Sequence, residues 1–182
     1  LHGLLNASKI FKKHVTIVIG KITTCGGDSY CSMDKQCKKL ILGIGNHLRS
    51  DDAAGSIVAR KLKLLGFTSI DAEFMPENYI GVIRKHKPEK IIIVDTCTMA
   101  LPPGSVRTIP LHKIHGGIVT THSMPLSAVI QQLREITPKI MLIGIQPETI
   151  EVGDTVSEAV TNAINQIVTT ISNGEEVNLP ML

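Results

Sequence analysis

Tryptophan is absent and aromatic residues make up only 3% of this 182-residue chain. A core with so few rings has to be filled by Ile, Val, Leu and Met, which suits buried parallel strands rich in β-branched residues better than a β-sandwich. Long apolar runs are missing too. The stretches at 15–19 and 91–94 fall far short of the roughly 20 residues of a membrane span, so membrane insertion is not expected. The basic N-terminal segment has neither a convincing apolar core nor a small-residue cleavage site, which argues against a secretory signal. Cysteines number four, at 25, 31, 37 and 97, with no CxxC pair. A chain long enough to bury a real core does not need a disulfide frame, and the spacing is poor for zinc, so the thiols read as reduced and the protein as cytoplasmic. A strong charge of either sign is also lacking. The formal +3 comes from residues 1–39, with seven Lys against two acids, while the remainder carries twelve Lys and Arg against fourteen acids. The body offers no electrostatic footprint for nucleic acid.

What is present is alternation. Residues 1–32 hold no helical or strand period and read as a poorly ordered N-terminal extension, with Met33 as a possible native start; residues 33–182 read as one domain. Residues 40–44 form a short apolar run closed by Gly45-Asn46, a buried strand ending in a turn. A helix is expected over 52–65, with acids at its start and Gly66 past its end. A strand over 69–74, a helix over 76–86 opened by Pro76, and a strand over 91–94 ending at Asp95 follow. Pro102-Pro103-Gly104 makes a loop, 105–109 an edge strand, 125–135 a helix and 140–145 another buried strand. Thr155-Val156-Ser157-Glu158 has the form of a capping box, after which Val156, Val160, Ile164, Ile167 and Ile171 recur at helical spacing. The tail from Asn173 reads as polar and loose. This pattern predicts a three-layer α/β/α sandwich around a mostly parallel twisted sheet of about five strands, with a ligand site beyond the carboxyl ends of the strands.

Three loops at that edge carry candidate chemistry. The first runs Gly43-Ile44-Gly45-Asn46-His47-Leu48-Arg49-Ser50-Asp51-Asp52. It has Leu48 where a dinucleotide fingerprint needs its third glycine, and two carboxylates that would repel a pyrophosphate. One Asp of the pair, Asp51, reads as a helix cap. The second feature is Asp95, which either caps the following loop or holds a cation at the mouth of the sheet. Cys97, two residues on, is a possible thiol or simply a small buried residue. The third is Thr120-Thr121-His122-Ser123-Met124-Pro125, where a His before a helix start meets a positive potential that favours neutral imidazole. His47, in the first loop, is near enough in sequence to approach. Two carboxylates and an imidazole at one sheet edge suit a divalent transition metal.

These residues resemble a known family, the hydrogenase maturation endopeptidases, especially the branch serving energy-converting, hydrogenase-3-type enzymes. The resemblance spans about 39–171 and rests on Ile41-Leu42-Gly43-Ile44-Gly45-Asn46 with Asp51-Asp52, then Pro76-Glu77-Asn78, Ile93-Val94-Asp95-Thr96, Thr120-Thr121-His122-Ser123-Met124-Pro125-Leu126 and Gly144-Ile145-Gln146-Pro147. It implies an aspartic-type endopeptidase that removes a C-terminal extension from the nickel-loaded precursor of a nickel-iron hydrogenase large subunit. Asp52, Asp95 and His122 match the residues that take hold of the nickel, an ion carried by the substrate. Asp52 stands where the family often has Glu, and Glu73-Phe74-Met75-Pro76 stands where many members have Asp-Gly-Gly-Thr. Two rival readings remain: a nickel-binding assembly chaperone without proteolysis, and a thiol hydrolase using Cys97 and His122.

Overall fold

The computed structural model describes residues 38–116 and 125–182, all within the compact unit Gln36–Leu182. What was expected of residues 1–32 and of Met33 lies outside the described residues.

Five strands form one sheet in the order β2-β1-β3-β5-β4: β1 (Lys39–Gly43), β2 (Ser69–Asp71), β3 (Lys90–Thr96), β4 (Val106–Ile109) and β5 (Ile140–Ile145). β1 pairs parallel with β2 and β3, β3 pairs parallel with β5, and β4 closes one edge antiparallel to β5. The helices are α1 (Ala54–Leu64), α2 (Ile80–His86), α3 (Leu126–Arg134) and α4 (Glu158–Asn173). The three-layer expectation holds, and its cause is visible in the strands. Successive side chains of a strand point to opposite faces. In β3, Ile91 and Ile93 therefore pack with Ile80, Ile83, Val129 and Leu133 of α2 and α3, while Ile92 and Val94 pack with Val58, Leu62, Ile164 and Ile167 of α1 and α4. A strand covered on both faces reads as a continuous aliphatic run.

Several boundaries moved. The second strand stops at Asp71 rather than 74, because the Asp71 carboxylate accepts the Glu73 N–H at 3.1 Å and Glu73 turns to a φ of +51°. The first helix is preceded by a 3-10 turn, Ser50–Ala53, and the second by another, Pro76–Tyr79. The capping box at Thr155 does not form. Thr155 Oγ1 turns to Asp154, and the cap of α4 is Ser157, whose Oγ accepts the Val160 N–H at 3.3 Å.

The tail is not loose, contrary to its composition. Lys39 and Lys90, the paired first residues of β1 and β3, both reach Glu176 Oε1, at 2.7 and 3.1 Å, and Glu176 is only 1% exposed. Beyond it, the Thr108 N–H donates to the Pro180 carbonyl at 2.9 Å and the Leu182 N–H to the Thr108 carbonyl at 3.0 Å, covering part of the outer edge of β4. An edge strand left bare is a template for unwanted pairing. A tail that looks solvated in sequence is held by these contacts, 72 and more residues away along the chain, which no local pattern encodes.

Candidate functional site at the carboxyl edge

The chain leaves β1 toward β2 on one side and reaches β3 on the other, so the strand order reverses between β1 and β3. In open α/β sheets such a reversal opens a crevice beyond the carboxyl ends of the two strands. The loop after β1 and the end of β3 stand at that switch point, and they carry Asp52 and Asp95.

The first loop is drawn tightly onto the sheet. The Ile44 N–H donates to the Val94 carbonyl at 2.9 Å, the Asn46 N–H to the Asp52 carbonyl at 3.1 Å, and Ser56 Oγ to the Gly45 carbonyl at 3.1 Å. A Cβ on Gly45 would run into the Asp52 carbonyl, and one on Gly55 into the carbonyls of Ile44 and Val94. These glycines are spent on bringing α1 against β1 and β3, not on admitting a phosphate. Ser50 takes a left-handed φ of +45° in the same turn, a conformation that costs on the order of 1–3 kcal/mol outside glycine and is held here by the Ser50 N–H to the Gly153 carbonyl at 2.8 Å.

Both acids of the turn are fully buried, and the structure gives them different work. Asp51 is structural, as expected, but it does not cap its own helix. Its carboxylate accepts the backbone N–H groups of Glu148 at 2.8 Å, Thr149 at 3.1 Å and Ser157 at 2.7 Å, and the Ser157 hydroxyl at 3.0 Å. It thereby clamps the loop after β5 and the start of α4 to the first loop.

Asp95 is fully buried as well, one residue before the end of β3. Its register partner on β5 is Gly144, which leaves the space beside it to Cys97 and Ile109. Asp95 Oδ1 accepts the Thr96 N–H at 2.8 Å, and Thr96 Oγ1 donates to the Asp51 carbonyl at 3.1 Å, so the two acid-bearing segments are bonded to each other. The buried Cys97 thiol reports their convergence. Its pKa is pushed well up by burial, then further by the negative charges of Asp95 and Asp52. Such a thiol stays protonated, whereas a nucleophilic cysteine needs access and a stabilised thiolate. The thiol-hydrolase reading gains no support from this setting.

His122 lies outside the described residues. Among those described, no three His, Cys, Asp or Glu side chains gather as a metal-binding group. The carboxylate His47 faces is that of Asp71, at the end of β2, with its Nε2 3.8 Å from Asp71 Oδ2. One contributor carried no assigned role in the sequence. Gln146 Oε1 accepts the Met99 N–H at 2.6 Å and the Leu101 N–H at 3.4 Å, and its Nε2 donates to the Pro147 carbonyl at 3.2 Å. It fixes the loop that leaves β3 just past Asp95. Its place in the Gly144-Ile145-Gln146-Pro147 motif was the available signal.

Fold and site together define a doubly wound α/β protein with two buried carboxylates at its switch point. Comparison with known proteins narrows the class. The family model HycI, hydrogenase maturation protease, matches residues 58–173. The hydrogenase 3 maturation protease of Escherichia coli K12 is 33% identical over 132 residues, 70% of this chain and 85% of that protein. Among solved structures, the NiFe-hydrogenase maturation protease HycI from Thermococcus kodakarensis superposes with a TM-score of 0.70 at 30% identity, covering 79% of this chain and 95% of that one. The endopeptidase HycI from Escherichia coli gives a TM-score of 0.70 at 31% identity, over 76% and 91%. This chain belongs to the hydrogenase maturation protease family. Among its described residues no helix is long and apolar enough to cross a membrane.

Proposed function

We propose that the chain is an endopeptidase that removes a C-terminal extension from the nickel-loaded precursor of a nickel-iron hydrogenase large subunit, and that the precursor's own nickel is its recognition element. The observation that carries this reading is that two fully buried carboxylates, Asp52 and Asp95, stand on hydrogen-bonded segments at the switch point of a chain of this family. Carboxylate oxygens with an imidazole suit a divalent first-row ion. His122, from the loop before α3, is proposed as that imidazole. The ion is cargo that arrives with the substrate. A cytoplasmic setting fits thiols whose spacing suits neither disulfide nor zinc.

Grip on the nickel by Asp52, Asp95 and His122 holds one peptide bond of the precursor in the crevice, which turns a chance encounter into a fixed geometry. A carboxylate oxygen accepts a proton from water as the water oxygen attacks the carbonyl carbon. The C–N bond then breaks, and the proton passes to the departing nitrogen. This is aspartic-type chemistry in the sense that a carboxylate is the base. The test is to incubate the chain with nickel-loaded and nickel-free precursor and measure the precursor's mass. Loss of a C-terminal peptide from the loaded form alone is expected; an intact mass in both forms overturns the proposal in favour of a nickel-binding assembly chaperone.

A further inference from the structure

Four large apolar side chains stand exposed on the loops around the carboxyl edge: Leu48 at 72%, Val152 at 88%, Phe74 at 43% and Met75 at 37%. Leu48 lies on the loop after β1, Phe74 and Met75 on the loop after β2, and Val152 on the loop after β5. All three loops leave the carboxyl ends of parallel strands, the edge at which Asp52 and Asp95 meet. Single exposed apolar residues are ordinary on any surface, but several on neighbouring loops of one edge make a patch.

The loops are bonded to one another. The Gly153 N–H donates to the Leu48 carbonyl at 3.0 Å and Arg49 Nε to the Ile150 carbonyl at 3.0 Å, which sets Leu48 and Val152 on adjacent backbone. The Gly45 N–H donates to the Glu73 carbonyl at 2.8 Å, tying in the loop that bears Phe74 and Met75. The Asp51 clamp fixes the same frame from below. A patch on a fixed frame spends little ordering entropy when a partner covers it.

Charge selects the partner. Residues 140–182 contain no Lys, Arg or His, and Glu148, Glu151 and Asp154 stand exposed around Val152, with Glu158 beginning α4 beside them. A second copy of this chain would bring two acidic loops together, and an anionic lipid surface would be repelled likewise. A surface with an apolar centre and a Lys and Arg rim is complementary in both respects.

We propose that Leu48, Val152, Phe74 and Met75 form a docking face for the folded body of the precursor, separate from the crevice that receives its C-terminal segment. The partner surface is an apolar patch rimmed by basic residues. This deepens the protease reading and rests on it for the identity of the partner. Specificity then comes from the shape of the whole precursor as well as from its nickel.

The experiment measures the dissociation constant of the full chain for the nickel-loaded precursor by calorimetry, and cleavage of the same sample by mass. Leu48→Asp with Val152→Asp is expected to weaken binding about tenfold or more, and Leu48→Ser with Val152→Ser, which adds no charge, to weaken it in the same direction. Circular dichroism and melting confirm that each variant is folded. Raising salt is expected to weaken wild-type binding, and Glu151→Lys with Asp154→Lys to reverse that trend. Unchanged affinity in both folded double variants overturns the docking face. So does a wild-type dimer that the same substitutions dissociate without altering affinity for the precursor. Weakened binding without cleavage by the wild type leaves the docking face standing and removes the protease reading, so the two fail separately.

Discussion

Replacing Asp95 by Asn keeps the shape of the side chain and its bond from the Thr96 N–H while removing the charge. If the carboxylate grips the ion or moves the proton, processing of nickel-loaded precursor falls by about 100-fold or more, the range of a lost acid-base group. Asp52→Asn is expected to fall similarly, and His122→Ala to impair processing while the fold is kept; mass spectrometry of the precursor over time checks all three. Normal processing by both Asp variants removes the site assignment. Cys97→Ala, by contrast, deletes a neutral buried thiol, and processing by this variant is expected to continue. Abolished cleavage in a folded Cys97→Ala protein would restore the thiol reading. The division of labour between adjacent acids was partly legible at this level. Asp51 reads as structural from its place at a helix start, but its actual partners, Glu148, Thr149 and Ser157, lie about 100 residues away.

The loop after β1 and the loop after β5 behave as one element. Asp51→Ala removes the acceptor of four half-buried hydrogen bonds and is expected to cost about 2–4 kcal/mol, read as a lower urea midpoint. Because the same clamp positions the turn that bears Asp52, activity should fall further than stability explains at temperatures where the variant stays folded. Gly55→Ala acts on the other side of this unit. Its methyl group would meet the Ile44 and Val94 carbonyls, so α1 must move off the sheet at a cost of about 1–3 kcal/mol, measured by thermal melting. The apolar period of α4 and the aliphatic runs of β1, β3 and β5 were readable because burial repeats at the element's own period. The cap of α4 was misplaced by two residues, since Thr155 and Ser157 are both competent caps and only Thr155 has Glu three residues on. What separates them is that Ser157 also bonds to Asp51.

Across the molecule, Glu176 ties the tail to the amino edge of the sheet, opposite the site. Burial works to raise its carboxyl pKa, but hydrogen bonds from Lys39, its own backbone N–H and Lys90, with the Lys90 charge, outweigh it and hold the group below its ordinary value of 4.5. A carboxylate depressed in the folded state contributes stability that is present above its unfolded pKa and lost as pH falls through the folded one. Denaturant midpoints taken from neutral pH to below 4.5 should therefore fall less steeply in Glu176→Gln than in the wild type. At neutral pH the variant should be less stable by about 1–3 kcal/mol. Equal pH slopes would show that the Lys39–Glu176–Lys90 contact contributes nothing. By itself the sequence determined the α/β class, the order of the elements and the two buried core faces, because all of these follow from local periodicity and residue chemistry. Tertiary structure alone decided which distant groups Asp51 clamps, that the segments bearing Asp52 and Asp95 are bonded to each other, that Cys97 is shielded beside them, and that the tail is anchored. Each of those depends on contacts between residues dozens of positions apart, and such contacts exist only once the strand order places β1 beside β3.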